Sequence, residues 1–391
     1  MQFTICENVK EIKDSVKVFY ATGDVGKRAY LANITVQAYD NTVTFTGTTG
    51  TRLFFAAEVQ RPGKCSIFGE DLLNAIKTIE NAPAFDFRDD KDHTVIMSES
   101  DGFSRKIGSW SDGHVGDNAG IYDDTMIKLV FDGAVVSEAV KAVQHAASDD
   151  ESKYVMNGVN FDFSGITPEG MDDGKIFAIA TDGRRLAWSE AGAVPVGVSR
   201  IIPKDNVTIK SSVADFIADR AKTGSVTFSV AAKIEKRQYG ETVTRHCAVD
   251  FGRFHIAEAA LAGDFPEWKR VIPSASVMNS EFTLSPDFVK ESDRISKTVN
   301  NRYKKIIVAI NGEVVTLDSD VAKQVLKSAT NVSGFSMFGK FAINVNYLRE
   351  AVRAAGKTSV RFQLSQQGRP ILATFNNGVA GAVIMPMNLE N

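Results

Sequence analysis

Long apolar runs are missing from this sequence. No stretch of about 18 consecutive apolar residues occurs, the length that a membrane-crossing helix needs. The opening residues, MQFTICENVK, lack a basic segment followed by an apolar one, so they do not read as a secretory signal. Cysteine is scarce as well. Cys6, Cys65 and Cys247 are odd in number, lie far apart and form no CxxC pair, which excludes a disulfide framework and fits a reducing, cytoplasmic setting. They read as small core residues. His93, His114, His145, His246 and His255 show no HExxH or other metal-ligand spacing, and no GxSxG elbow is present. Gly26-Lys27 has the look of a phosphate loop's end, but the first glycine of that motif would fall at Ala21, and Arg28 stands where Ser or Thr is needed. No metal or cofactor is therefore expected. An excess of positive charge is also absent: the net charge is −3. That argues against an open-faced nucleic-acid binder, but not against a protein whose cations gather on one surface.

What is present is an α+β pattern that repeats. A strand over residues 2–6 precedes a helical stretch over 7–20, where Val9, Ile12, Val16 and Phe19 recur at i, i+3, i+7 and i+10. Alternating strands follow over 32–38 and 42–46, then a helix over 70–80 with Leu72, Leu73, Ile76 and Ile79 inward. The same order returns with helices over 134–147 (Val136, Val140, Val143) and 211–221 (Val213, Phe216, Ile217), and strands over 225–230 and 242–250 around a charged turn at 235–240. It returns again after Ser285-Pro286-Asp287, a helix-start signal, with Phe288, Ser292, Ile295 and Val299 inward. The last helix is expected over 347–355, capped by Asn346 and closed by Gly356. A period of about 130 residues means repeated domains, not a short-repeat solenoid. The expected domains are residues 1–126, 127–273 and 274–391, each with two amphipathic helices packed on antiparallel sheets.

The polar faces of these helices are cationic each time. Lys10, Lys13 and Lys17 lie on the first; Lys141, Lys210 and Arg220 accompany the helices of the second repeat; Lys290, Arg294, Lys297, Arg349 and Arg353 lie on those of the third. One such face alone would be an ordinary solvated surface; its recurrence over the repeats weakens that reading, because a solvated surface need not be cationic each time. A second feature is Lys175–Trp188, KIFAIATDGRRLAW, two apolar strands around a Thr-Asp-Gly turn with two arginines beside it. The acidic run Asp149-Asp150-Glu151 reads as a solvated loop, with weak divalent-ion binding as the alternative.

Several strings carry a family resemblance. Tyr154-Val155-Met156-Asn157-Gly158 resembles YYLNG of the bacterial DNA sliding clamps, the beta subunit of the replicative DNA polymerase III. Residues 180–186, ATDGRRL, resemble that family's ATDGHRL turn; residues 265–273, FPEWKRVIP, resemble its FPDYRRVLP linker; Met385-Pro386-Met387 resembles its MPM ending. Together these strings span most of the chain in family order.

The resemblance implies a non-enzymatic DNA clamp fold of three like domains, forming a head-to-tail homodimeric ring around duplex DNA. Such a ring tethers the polymerase as a processivity factor, with helices lining the hole and sheets outside. It implies sequence-independent DNA contact through Lys10, Lys13, Lys17, Lys141, Lys210, Lys290, Arg294, Lys297, Arg349 and Arg353. It implies a dimer interface around Leu73, Ile76, Val299 and Tyr303, and a nucleoid-associated, cytoplasmic location. It also implies a pocket for short linear motifs of DNA polymerase and clamp loader, formed by Lys153, Val155, Met156, Thr181, Gly183, Arg184, Arg185, Leu186, Pro266, Arg270, Val271, Val383, Met385, Pro386 and Met387. The chain departs from the family pattern with Val155 in place of an aromatic, Arg184 in place of His and Lys153 in place of Arg. It ends Asn388-Leu389-Glu390-Asn391 without the usual basic residue. The alternatives are a clamp-like scaffold that does not encircle DNA and a metal-dependent phosphoesterase built on residues 149–151.

Overall fold

The computed structural model describes residues 1–26, 33–80, 85–90, 93–98, 102–110, 126–166, 172–193, 206–237, 240–257, 260–299, 303–335, 339–366 and 368–389. Lys27 and Arg28, His114 and residues 390–391 lie outside the described residues. Two compact units result: Met1–Ala134 with Asp219–Ala260, and Val135–Ala218 with Leu261–Asn391. The stretch expected as the second repeat contributes to both.

Among the described residues, the first unit is built on a twelve-stranded antiparallel sheet that includes Gln2–Ile5, Arg52–Arg61, Ser225–Arg237 and Gly240–Phe251. The last two strands pair from Val226↔Phe251 to Arg237↔Gly240, so they extend into the segment expected as a charged turn as far as Arg237 and from Gly240 onward. Backbone pairing holds that segment extended although its side chains are Glu, Lys and Arg. Three helices belong here: α1 (Val9–Ser15), α2 (Val18–Thr22) and α3 (Gly69–Thr78). The single helix expected over 7–20 is thus two pieces. The side chain of Asn8 caps α1 by accepting from the Lys10 N–H, and α2 ends at Gly23 with φ +87°. The stripe itself is as expected: Val9, Ile12, Val16 and Phe19 are all buried.

The second unit holds a nine-stranded sheet in the order Asn206–Lys210, Gly158–Ile166, Asp172–Thr181, Arg185–Ala193, Ala380–Ile384, Ile371–Phe375, Val360–Leu364, Ser280–Leu284, Ala329–Ser333. A four-stranded sheet, Lys323–Lys327, Val314–Asp318, Lys305–Asn311, Lys340–Asn344, accompanies it. Its helices are α4 (Gly133–Val143) and α5 (Ser211–Arg220), both overlapping the unit boundary, then α6 (Phe288–Glu291), α7 (Asp293–Thr298) and α8 (Val345–Ala354). The helix expected after Ser285 breaks at Ser292, whose hydroxyl donates to the Phe288 carbonyl at 2.6 Å. Such back-bonding bends helices. The last helix begins earlier than expected: Asn344, not Asn346, is its cap, accepting from the Asn346 N–H at 2.9 Å.

Candidate functional site

The site starts from the turn between strands Asp172–Thr181 and Arg185–Ala193. One Asp182 carboxylate oxygen accepts from the N–H groups of Arg184 (2.8 Å) and Arg185 (3.0 Å). The Thr181 hydroxyl donates to the Arg185 carbonyl at 2.6 Å and accepts from the Gly183 N–H at 3.1 Å. Gly183 sits at φ +87°, and a Cβ there would meet only the Lys153 Nζ at 3.8 Å. The turn therefore needs glycine for its backbone conformation, not for space. Lys153 donates to the Asp182 carbonyl at 3.1 Å, tying the preceding 3₁₀ segment to the turn.

The C-terminal strand then comes alongside. Arg185↔Ile384 and Leu186↔Val383 are register partners, and the Met385 N–H continues the ladder to the Arg184 carbonyl at 2.9 Å. Two residues on, the Met387 N–H reaches the Ala342 carbonyl at 2.8 Å. Residues 385–387 thus form a strap from the nine-stranded sheet to the four-stranded one. Beside it opens a pocket of about 590 Å³, lined by Arg184, Tyr303, Lys305, Asn344, Tyr347, Met385, Pro386, Met387 and Asn388.

The same unit holds an apolar cluster of Phe177, Ile179, Leu186, Trp188, Phe265, Trp268, Leu372 and Val383, with Val155, Ile272 and Met278 packed against its edge. Distant segments therefore do converge. The linker is pinned to the strand Gly158–Ile166: the Trp268 indole N–H donates to the Asp162 carboxylate at 2.7 Å, and Lys269 bridges the same carboxylate (3.1 Å) and the Ser164 hydroxyl (2.8 Å).

The fifteen expected pocket residues divide accordingly. Arg184, Met385, Pro386 and Met387 line the pocket. Leu186 and Val383 are interior members of the apolar cluster, and Val155 packs on its edge. Met156 is half-buried and Val271 exposed. Pro266 and Arg270 line a different, more polar cavity of about 770 Å³ with Asp162 and Glu267, and Arg270 is paired with Glu267 at 2.6 Å. Arg185 does not line the pocket. Its guanidinium pairs with Asp182 (3.1 Å) and Glu350 and lies 4.2 Å from the centroid of the Tyr347 ring. Lys305, Asn344 and Tyr347 had no signal that local spacing could expose: strand pairing brings Lys305 and Asn344 to the strap and the first turn of α8 brings Tyr347, while Asn388 simply follows Met387. Burial, and after it the charge of Asp182, raises the Tyr347 phenol above its usual pKa, so it remains an O–H donor.

Of the expected DNA-facing cations, Lys10, Lys17, Lys141, Lys210, Lys290, Arg294, Lys297 and Arg353 are exposed and Lys13 is half-exposed. Lys17 is paired with Asp14 at 2.7 Å and Lys297 with Asp293 at 2.5 Å. Arg349 is a correction: it is buried, and its guanidinium donates to the hydroxyls of Ser292 (3.1 Å) and Ser296 (2.5 Å), the Val289 carbonyl (2.9 Å) and Asp293 (3.0 Å). The α6–α7 break frees polar groups that this arginine satisfies. The interface residues also need correction. Leu73, Ile76 and Val299 are wholly interior, since each belongs to an inward stripe. Tyr303 is exposed and lines the pocket. In the acidic run, Asp150 caps a 3₁₀ turn, accepting from the Ser152 N–H (3.0 Å) and hydroxyl (2.7 Å), which hold its carboxyl below the usual range.

No family model matches the chain. It is 25% identical over 254 residues to the beta sliding clamp of Treponema pallidum, a match covering 63% of this chain and 61% of that protein. It is 22% identical over 355 residues to the beta sliding clamp of Synechococcus elongatus, covering 88% of this chain and 86% of that one. Its fold superposes on a sliding clamp (DNA polymerase III subunit beta) from Pseudomonas aeruginosa, solved bound to griselimycin, with TM-score 0.77 at 18% identity over the full length of both chains. The chain has the α+β clamp fold.

Proposed function

We propose that this chain is a sliding clamp: a non-enzymatic processivity factor that encircles duplex DNA and tethers the replicative polymerase. The observation that carries this reading is the pocket at the strap. The turn, the linker and the C-terminal strand, three of the four segments that resemble the family, contribute to one apolar cluster, and the turn and the C-terminal strand also meet at an open groove. Met, Pro and Tyr walls suit the apolar anchors of a short linear motif, and exposed backbone and Arg184 suit its polar groups. Polymerase and clamp loader are the partners assigned to it. The repeats, residues 1–126, 127–273 and 274–391, close a ring as a head-to-tail homodimer. Because Leu73, Ile76 and Val299 are interior, the contact falls on the first repeat's side to outward residues of the same helix, Glu70, Asp71, Asn74 and Lys77 on α3.

A five- or six-residue peptide buries little surface, so binding at about −7 to −8 kcal/mol, or micromolar, is expected. Fluorescence anisotropy with a labelled Gln-Leu-x-Leu-Phe peptide tests the groove. Deleting residues 385–391 removes the strap and should abolish binding; equal binding by full-length and truncated chains would refute the assignment. Sedimentation at micromolar concentration tests the dimer, and retention on circular but not linearised DNA tests encirclement.

A further inference from the structure

We infer that Glu350 is a positioning residue for motif binding: it does not line the pocket, but it holds Arg185 against the Tyr347 ring, which does. This rests on the groove reading above. The tie joins two elements of the pocket. One is the turn after Asp172–Thr181, which gives Arg184 to the lining and holds Met385 through the Arg184 carbonyl. The other is α8, with Asn344 as its cap and Tyr347 in its first turn. Glu350 follows Tyr347 at i+3, so the two share a face of α8. Carboxylate and ring meet one guanidinium. The Arg185 Nη1 donates to Glu350, and its Cζ lies 4.2 Å from the Tyr347 ring centroid. Asp182 accepts from the Arg185 Nε at 3.1 Å, and its charge also acts on the Tyr347 phenol. Of these four residues only Tyr347 lines the pocket.

Burial makes the arrangement depend on both acids. The Arg185 side chain is 11% exposed, and a cation so far from water needs paired and hydrogen-bonded partners. Asp182 reaches the Nε with one oxygen; its other oxygen is occupied by the N–H groups of Arg184 and Arg185. Glu350 satisfies the Nη1 end. The arginine beside it on α8, Arg349, is engaged by Ser292, Ser296 and Asp293 instead. Without the Glu350 carboxylate a buried charged donor loses its acceptor, and the guanidinium turns toward water to recover one. A desolvated guanidinium over an aromatic face is a substantial contact, so its departure removes the backing of the Tyr347 ring. The motif must then order that ring as it binds, which costs affinity.

The test uses the full-length chain and the labelled Gln-Leu-x-Leu-Phe peptide. Anisotropy should show Glu350→Ala binding about five- to tenfold more weakly than the parent, with Glu350→Gln, which keeps an acceptor but not the charge, in between. A cycle with Tyr347→Leu separates positioning from a general loss of structure, because leucine keeps an apolar wall and removes the ring. In that background Glu350→Ala should change affinity by less than about twofold. Circular-dichroism melts establish that each variant is folded; if Glu350→Ala is not, Glu350→Gln carries both comparisons. Parent-like affinity in the Glu350 variants, or the same loss with and without the Tyr347 ring, overturns the inference and leaves the groove standing. Failure of the parent chain to bind the peptide overturns both.

Discussion

His145 shows how a single side chain sets a pH limit on this fold. It follows α4 in a 3₁₀ turn, and burial, then the positive charge of Arg185, lowers its pKa from 6.5 to about 3. The imidazole is therefore neutral when folded and gains a proton near 6.5 when unfolded. Between those values the unfolded chain binds the extra proton, so stability present above 6.5 is lost as pH falls toward 3. The slope from this one group approaches 1.4 kcal/mol per pH unit. Carboxylates add their own acid losses, so the measurement is a difference. Urea unfolding from pH 7 to 4 should fall less steeply for His145→Gln than for the parent chain. Parallel curves would mean that this residue does not titrate in the unfolding reaction. Arg184 and Arg185 make the complementary point: adjacent and identical in type, they differ in role because only one finds acids on α8 and in the turn.

At the scale of elements, the inward stripes were legible and the helix breaks were not. Phe288, Ser292, Ile295 and Val299 are all buried, because a 3.6-residue period in apolar and small side chains survives whether or not the helix is continuous. The break at Ser292 depends on Arg349, 57 positions away, whose guanidinium takes up the Val289 carbonyl and two serine hydroxyls. Helical spacing had put that arginine on a cationic face with Arg353; nothing local distinguishes a buried arginine from an exposed one. The groove divides in the same way. Turn, linker and strap could be recognised as strings, but Lys305 reaches the pocket through strand pairing and Tyr347 from the first turn of α8, which only the assembled fold provides. Arg349→Ala should cost about 2–3 kcal/mol in urea unfolding, because it leaves buried acceptors without donors, with little effect on DNA affinity per se. A loss below about 0.5 kcal/mol, the scale of an ordinary surface substitution, would contradict its role as the pin between α8 and α6–α7.

For the molecule as a whole, the question is how a chain of 45 basic and 48 acidic residues can hold a polyanion. Long-range attraction cannot do it, since the summed charge repels. The cations must act at contact distance, by releasing counterions from phosphates, and their effect then appears in the salt dependence more than in the affinity at any one salt concentration. Pairing within the protein reduces each contribution. Lys297 is held by Asp293, whose carboxyl sits below its usual pKa through that hydrogen bond and, behind it, Arg349; such exposed pairs are weak and open readily to a phosphate. Lys290 and Arg294 stand exposed on α6 and α7. Reversing Lys290, Arg294 and Lys297 to glutamate should therefore flatten the plot of log affinity against log salt by about two units, given roughly 0.9 per phosphate neutralised and a partial share from Lys297. The control is Lys323→Glu, on the edge strand Lys323–Lys327 of the four-stranded sheet, which should leave the slope where it was. Retention on nicked circular duplex, titrated with salt, measures both. A slope unmoved by the triple reversal would remove α6 and α7 from the DNA-facing surface, and an equal change in the control would mean that net charge, not position, governs binding.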